Sequence, residues 1–120
     1  MEDLIDRIAA DAGVEPGIAK KAVGMILLFL RSEGPKDEIQ SLFAAVPGAA
    51  EAADEAANEN GSGAFSGGLM GLAGQLTGLG LGMGEMQTFG REVFAYVREK
   101  AGDELVGEIV SAIPGLRQFL

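Results

Sequence analysis

The stretch "EAADEAANENG", residues 51–61, holds the side chains best placed to ligate a cation or move a proton. Glu51, Asp54, Glu55 and Glu59 stand at i, i+3, i+4 and i+8, so a helix gathers them into one acidic stripe. As a calcium loop, Asn58-x-Asn60-Gly61 matches the middle of an EF-hand. Its first and twelfth positions are then Ala56 and Gly67, so both essential acids are missing. The stripe reads as a solvated helix face, and no metal ligand is assigned.

The chain contains no His, Cys or Trp. Without imidazole or thiolate there is no ordinary Ser-His-Asp arrangement and no cysteine nucleophile. Zinc and iron sites built on those ligands are excluded as well. Paired carboxylates can do acid–base work, but no pair is placed in a cleft by sequence alone. A phosphate-binding loop fails on its spacing. G-x-G occurs at 61, 78, 80 and 82, and the third glycine of a dinucleotide fingerprint would fall on Ser66, Met83, Glu85 or Gln87. No strand precedes any of them and no Gly-Lys pair exists. The expectation is a protein with no catalytic residue and no cofactor, not an enzyme.

Nine basic against eighteen acidic residues leave a net charge of −9 in 120 residues. Affinity for nucleic acid comes largely from Lys and Arg contacts to phosphate, and the basic residues here are scattered from Arg7 to Arg117, so nucleic acid is not an expected partner. An anionic membrane surface is disfavoured for the same reason. The absence of cysteine gives no sign of an oxidising compartment. "MEDLIDRIAADAG" has no basic region leading into an apolar run and does not read as a signal peptide. A bacterial cytoplasmic setting is the default expectation.

The elements follow from periodicity. Leu4, Ile5, Ile8 and Ala9 recur at helical spacing and predict a short amphipathic helix ended by Gly13. A second helix starts at Pro16, where a first turn tolerates proline, and stops at Gly34. Its stretch "AVGMILLFL" is apolar all round but only nine residues long, so it reads as the buried centre of a bundle rather than a membrane span. Ile39, Leu42, Phe43 and Val46 mark a third helix, closed by Pro47-Gly48. Residues 49–66 read as a linker whose alanine-rich start could be helical.

The second half repeats the first at a shift of 67 residues, without a gap. Gly13 falls on Gly80, Ile26 on Val93, Phe29 on Tyr96, Arg31 on Arg98, Leu42 on Ile109 and Pro47-Gly48 on Pro114-Gly115. This register predicts duplication of a three-helix unit. The expected fold is all-α, a compact bundle of two similar three-helix units in one domain spanning 1–120. Unit one is 1–48, the linker 49–66, and unit two 67–115. The expected core is Ile5, Ile8, Ala22, Ile26, Phe29, Leu30, Leu42, Phe43, Val46, Leu72, Leu76, Phe89, Val93, Val97, Ile109, Val110 and Ile113. On the helix after the glycine-rich stretch, Met86, Phe89, Val93, Tyr96 and Val97 form the expected buried face; Gly102 caps it and Asp103 is the expected N-cap of the last helix.

Under that register "GGLMGLAGQLTGLGLGMGEM", residues 67–86, begins as a helix although eight of its twenty residues are glycine. On a helical wheel Leu69, Leu72, Leu76 and Leu79 gather on one side, and Gly67, Gly71, Gly74 and Gly78 on the other. Each glycine costs about 1 kcal/mol relative to alanine inside a helix, so four in a ridge imply close approach of another helix, from this chain or a second subunit.

The order "LIDRIAADAGV", apolar helix, short helix closed by "VPG", Gly/Leu-rich stretch and "FAYVREKAGDELV" resembles the small bacterial VcgC/VcgE-like families of unassigned function. The resemblance spans nearly the whole chain and implies an all-α protein. It carries over no catalytic residue.

Two functions remain as expectations. The first is a non-enzymatic protein-interaction module, self-associating as a homodimer or higher homo-oligomer through Gly67, Gly71, Gly74 and Gly78, with another protein as the other candidate partner. The alternative is a carrier of a small apolar ligand or lipid, held between the repeats near Met25, Met70, Met83 and Met86, since methionine lines adaptable pockets.

Overall fold

Ala22–Leu30 forms the middle of a helix in which all nine consecutive residues are buried. A helix apolar on every side must be surrounded, and five others surround this one. The computed structural model describes residues 2–60 and 69–113. Over them the chain forms α1 (Glu2–Ala12), α2 (Pro16–Glu33), α3 (Lys36–Ala45), α4 (Ala49–Asn60), α5 (Leu69–Gly78), α6 (Met83–Ala101) and α7 (Asp103–Ala112). No strand occurs among the described residues, so the all-α class is as expected. α2 packs against α1, α3, α4, α5 and α6; α1 also lies on α6, while α3 and α6 both meet α7.

The helix boundaries show what the sequence register meant. α6 starts 67 residues after α2, and α7 67 residues after α3. The ends match as well. α1 closes on Gly13 at φ +70, with the Val14 amide donating to the Ala9 carbonyl at 3.0 Å. α5 closes on Gly80 at φ +92, with the Leu81 amide donating to the Leu76 carbonyl at 3.2 Å. Both are left-handed caps in which the amide following the glycine reaches back across the last turn, a geometry that glycine adopts without steric cost. α3 and α7 end alike, at Val46 and Ile113, each with φ −106.

Packing partners do not repeat with the boundaries. α1 lies against both α2 and α6, whereas α5 lies against α2 and α6 makes its main contacts with α1, α3 and α7. The halves interleave around one hydrophobic core instead of standing as two units side by side. The difference has a physical origin in α4, which occupies a flank of α2 and has no described counterpart on α6.

Residues 49–60, placed by composition at the head of a linker, are therefore a packed helix. Ala49, Ala52, Ala53 and Ala56 are buried, at the i, i+3, i+4, i+7 spacing of one helix face. They let α4 approach α2 so closely that a Cβ on Gly24 would lie 2.7 Å from the Ala52 carbonyl oxygen. Residues 61–66 of the expected linker lie outside the described residues.

All seventeen expected core positions are buried except Phe43, which is half-buried against the core. Sequence periodicity missed Phe94, 2% exposed. Tyr96, expected on the buried face of α6, is half-buried, with the Lys100 ammonium 5.5 Å from its ring centroid. The cause is coverage. α6 is flanked by several helices, so its buried arc is wider than a single stripe and shifts toward Phe94. At the α6–α7 junction Gly102, at φ +100, is the capping residue for both helices, and Asp103 is the first residue of α7 rather than its N-cap. The Asp103 carboxylate instead pairs with Arg98 at 2.8 Å.

Candidate helix-docking surface

α5 separates its two residue types as the wheel predicts. Leu72 and Leu76 are buried. Gly74 and Gly78 are exposed, and a Cβ built on either would meet nothing within 4 Å; Gly71 is half-buried. Gly67 lies outside the described residues. Thr77 turns its hydroxyl back onto the Ala73 carbonyl at 2.9 Å, so this polar side chain serves its own backbone. The result is a strip of nearly bare helical backbone facing outward, with no described helix lying against Gly74 or Gly78. The intrachain close approach that the glycine ridge implied is found at Gly24 instead.

Met25 and Met86 are buried in the core, on α2 and α6. Met83 is 65% exposed at the start of α6. Met70 is on α5, with its side chain outside the described set. None of the four lines the clefts found among the described residues.

The acidic stripe of α4 has a structural role. Asp54 accepts a hydrogen bond from the Arg31 guanidinium at 2.8 Å, and Glu55 pairs with Lys20 at 3.4 Å. Both pairs tie α4 to α2 across the Gly24 crossing. Being more than half exposed on the acid side, each is worth at most about 1 kcal/mol. Between the helices a cleft of about 220 Å³ is lined by Gly17, Lys20, Lys21, Gly24, Ala52, Glu55 and Ala56. Sequence reasoning assigned nothing to Gly24 or Lys20. The alanine spacing 49, 52, 53, 56 was the available signal, since it marks a packed helix face and hence a partner.

Among the described residues no polar or charged side chain is buried, and no group of three or more acids is arranged to hold a metal ion. One carboxyl pair does meet, Asp11 of α1 and Glu92 of α6, and neither residue lines a described cleft. Partial burial, and then Asp11 as hydrogen-bond partner and like charge, push the Glu92 carboxyl above its ordinary value; Arg7 and Arg91 pull it partly back. A raised pKa means that the folded chain holds this proton more tightly than the unfolded chain. Stability is therefore gained as pH falls through the raised value toward the ordinary one, and the ionised form is a burden at neutral pH. Glu92→Gln is expected to raise the melting temperature at pH 7. The gain should shrink on acidification through that window; a variant equally or less stable than wild type at pH 7 contradicts this assignment.

Comparison with protein-family profiles, with curated proteins and with solved structures returns no match for this chain.

Proposed function

We propose that this chain is a non-enzymatic helix-docking module that associates with a second copy of itself through the outer face of α5. The observation that carries the reading is the exposure of Gly74 and Gly78 on one face of a helix whose other face is buried. An exposed glycine in a helix interior costs about 1 kcal/mol relative to alanine and gives nothing back within the chain. Bare backbone on a helix surface has a use when another helix must come closer than side chains allow. Met83, 65% exposed just beyond the end of α5, adds apolar surface to the same part of the chain.

The absence of imidazole and thiolate from the sequence supports the non-enzymatic half of the reading, and the lack of cysteine suits a cytoplasmic setting. No described helix is long and apolar enough to cross a membrane. The resemblance to the VcgC/VcgE-like group belongs to the same reading.

Gly74→Leu tests it. Within one chain the new side chain meets open space, so the fold should tolerate it and melt no lower than wild type. Sedimentation velocity should show the wild-type dimer reduced to monomer. A wild-type mass already monomeric, or a variant that dimerises unchanged, overturns the α5 interface.

A further inference from the structure

Met25 and Met86 are 6% and 3% exposed, while Met83 is 65% exposed. No other large apolar side chain among the described residues stands out in solvent. The backbone around Met83 leaves its thioether open to approach. Gly78, Gly80, Gly82 and Gly84 are all exposed, and a Cβ built on Gly78, Gly80 or Gly84 would meet nothing within 4 Å. Leu79 and Leu81 of the same stretch turn inward instead, one half-buried and the other 2% exposed. Oxidation of a side-chain sulfur follows its exposure, so a hydroperoxide should reach Met83 well before Met25 or Met86.

We propose that Met83 is a sulfoxidation site through which a hydroperoxide loosens the self-association of this chain. A lone pair on its sulfur attacks the hydroxyl oxygen of the peroxide. The S–O bond forms as the O–O bond breaks, and the proton of the attacked oxygen passes to the departing alkoxide. That group leaves as an alcohol, or as water from hydrogen peroxide. Sulfur loses two electrons and the peroxide gains them. The fold has room for the product. Met83 is the first residue of α6, after Gly82, and that helix start has no side-chain cap. A sulfoxide oxygen is a hydrogen-bond acceptor with partial negative charge. It would sit at the positive end of a 19-residue helix, among amides with no acceptor inside the helix. Helix content should therefore persist. The surface changes more than the fold does, because an apolar side chain becomes polar. Met83 follows Gly78, the end of α5, by five residues, at most about 18 Å of chain, so the change falls beside the face proposed to dock. The effect on association rests on that α5 reading; the site of oxidation does not.

The test treats the full chain with hydrogen peroxide and locates the added oxygen by tandem mass spectrometry, which separates Met83 from Met86 on one peptide. Met83 should take up oxygen at least about tenfold faster than Met25 and Met86. Circular dichroism should show an unchanged melt. In sedimentation velocity the oxidised chain should associate about tenfold more weakly, the loss expected when one methionine side chain can no longer be buried. Met83→Gln, polar without peroxide, should reproduce that weakening. Met83→Leu should associate as wild type and keep its affinity in peroxide. Oxidation of Met25 or Met86 as fast as Met83 overturns the selective site. A melt lowered by oxidation in wild type but not in Met83→Leu overturns the tolerance of the fold. Peroxide that weakens Met83→Leu as much as wild type overturns Met83 as the point of control. A wild-type dimer that keeps its affinity with Met83 oxidised overturns the link to association and leaves the α5 interface standing. A wild-type monomer overturns that interface and the link together, and the oxygen map still decides the site.

Discussion

Phe29→Ala is expected to bring the protein to the edge of unfolding. The ring lies in the middle of α2, 1% exposed, in a helix packed against five others. Truncating a buried phenylalanine costs about 3–5 kcal/mol, the lost transfer free energy plus the cavity left behind. Domains of this size are stable by about 5–15 kcal/mol in total, so the variant would lose a large share of the whole. Urea unfolding followed by circular dichroism should show the midpoint falling with little change in slope. α2 is held on all sides, so the surrounding helices cannot all collapse into the gap, and the cost should lie in the upper half of that range. A loss under about 1 kcal/mol would mean that the core around α2 is loosely packed.

Gly24→Leu should be the most damaging substitution of a small residue, with a local signature. Even a methyl group at this position would sit 2.7 Å from the Ala52 carbonyl oxygen and 3.3 Å from the Ala56 Cβ. The obstacle is backbone, which cannot rotate away as a side chain would, so α4 must move off α2. Overpacking typically costs about 1–3 kcal/mol. The top of that range is expected here, because displacing α4 also uncovers Ala49, Ala53 and their neighbours and separates the Arg31–Asp54 pair. Amide exchange should speed up across residues 49–58 while α1, α3 and α7 keep their protection. Gly74→Leu is the contrast within the same protein, since the same substitution there meets open space. Equal destabilisation at the two sites would show that the close approach of α4 does not set the cost, since leucine is the better helix former at both.

Much of this architecture was legible in the chain because helices report themselves locally. The 3.6-residue period of Leu4, Ile5 and Ile8 on α1, and of Ile39 and Leu42 on α3, needs only the chain's own geometry to define a buried face. Stop signals are equally local. The left-handed conformations at Gly13 and Gly80 are set by the nearest few residues. Boundary matches between α1 and α5, α2 and α6, and α3 and α7 could for that reason be read as a register of 67 residues before any packing was known.

The docking surface was legible only in part. That Gly74 and Gly78 share a face follows from their spacing. Whether that face meets a helix of the same chain depends on where the other six lie, and no local signal carries that information. The buried arc of α6 is likewise wider than its sequence stripe suggests. Phe94 is inside and Tyr96 at the margin because of the helices that flank α6, not because of its own period.

By itself the sequence determined the all-α class, the helix boundaries near glycine and proline, nearly all of the large core side chains, and the absence of imidazole and thiolate chemistry. These depend on residue type and on spacing along one helix. Tertiary structure alone decided that the alanine-rich stretch 49–60 is a core helix, that Gly24 is where two helices meet most closely, and that no described helix covers Gly74 and Gly78 on α5. The physical reason is that burial of a helix face is a property of pairs. An alanine face is too weakly hydrophobic to announce a partner, and a glycine face has the same local appearance whether a helix lies against it or not.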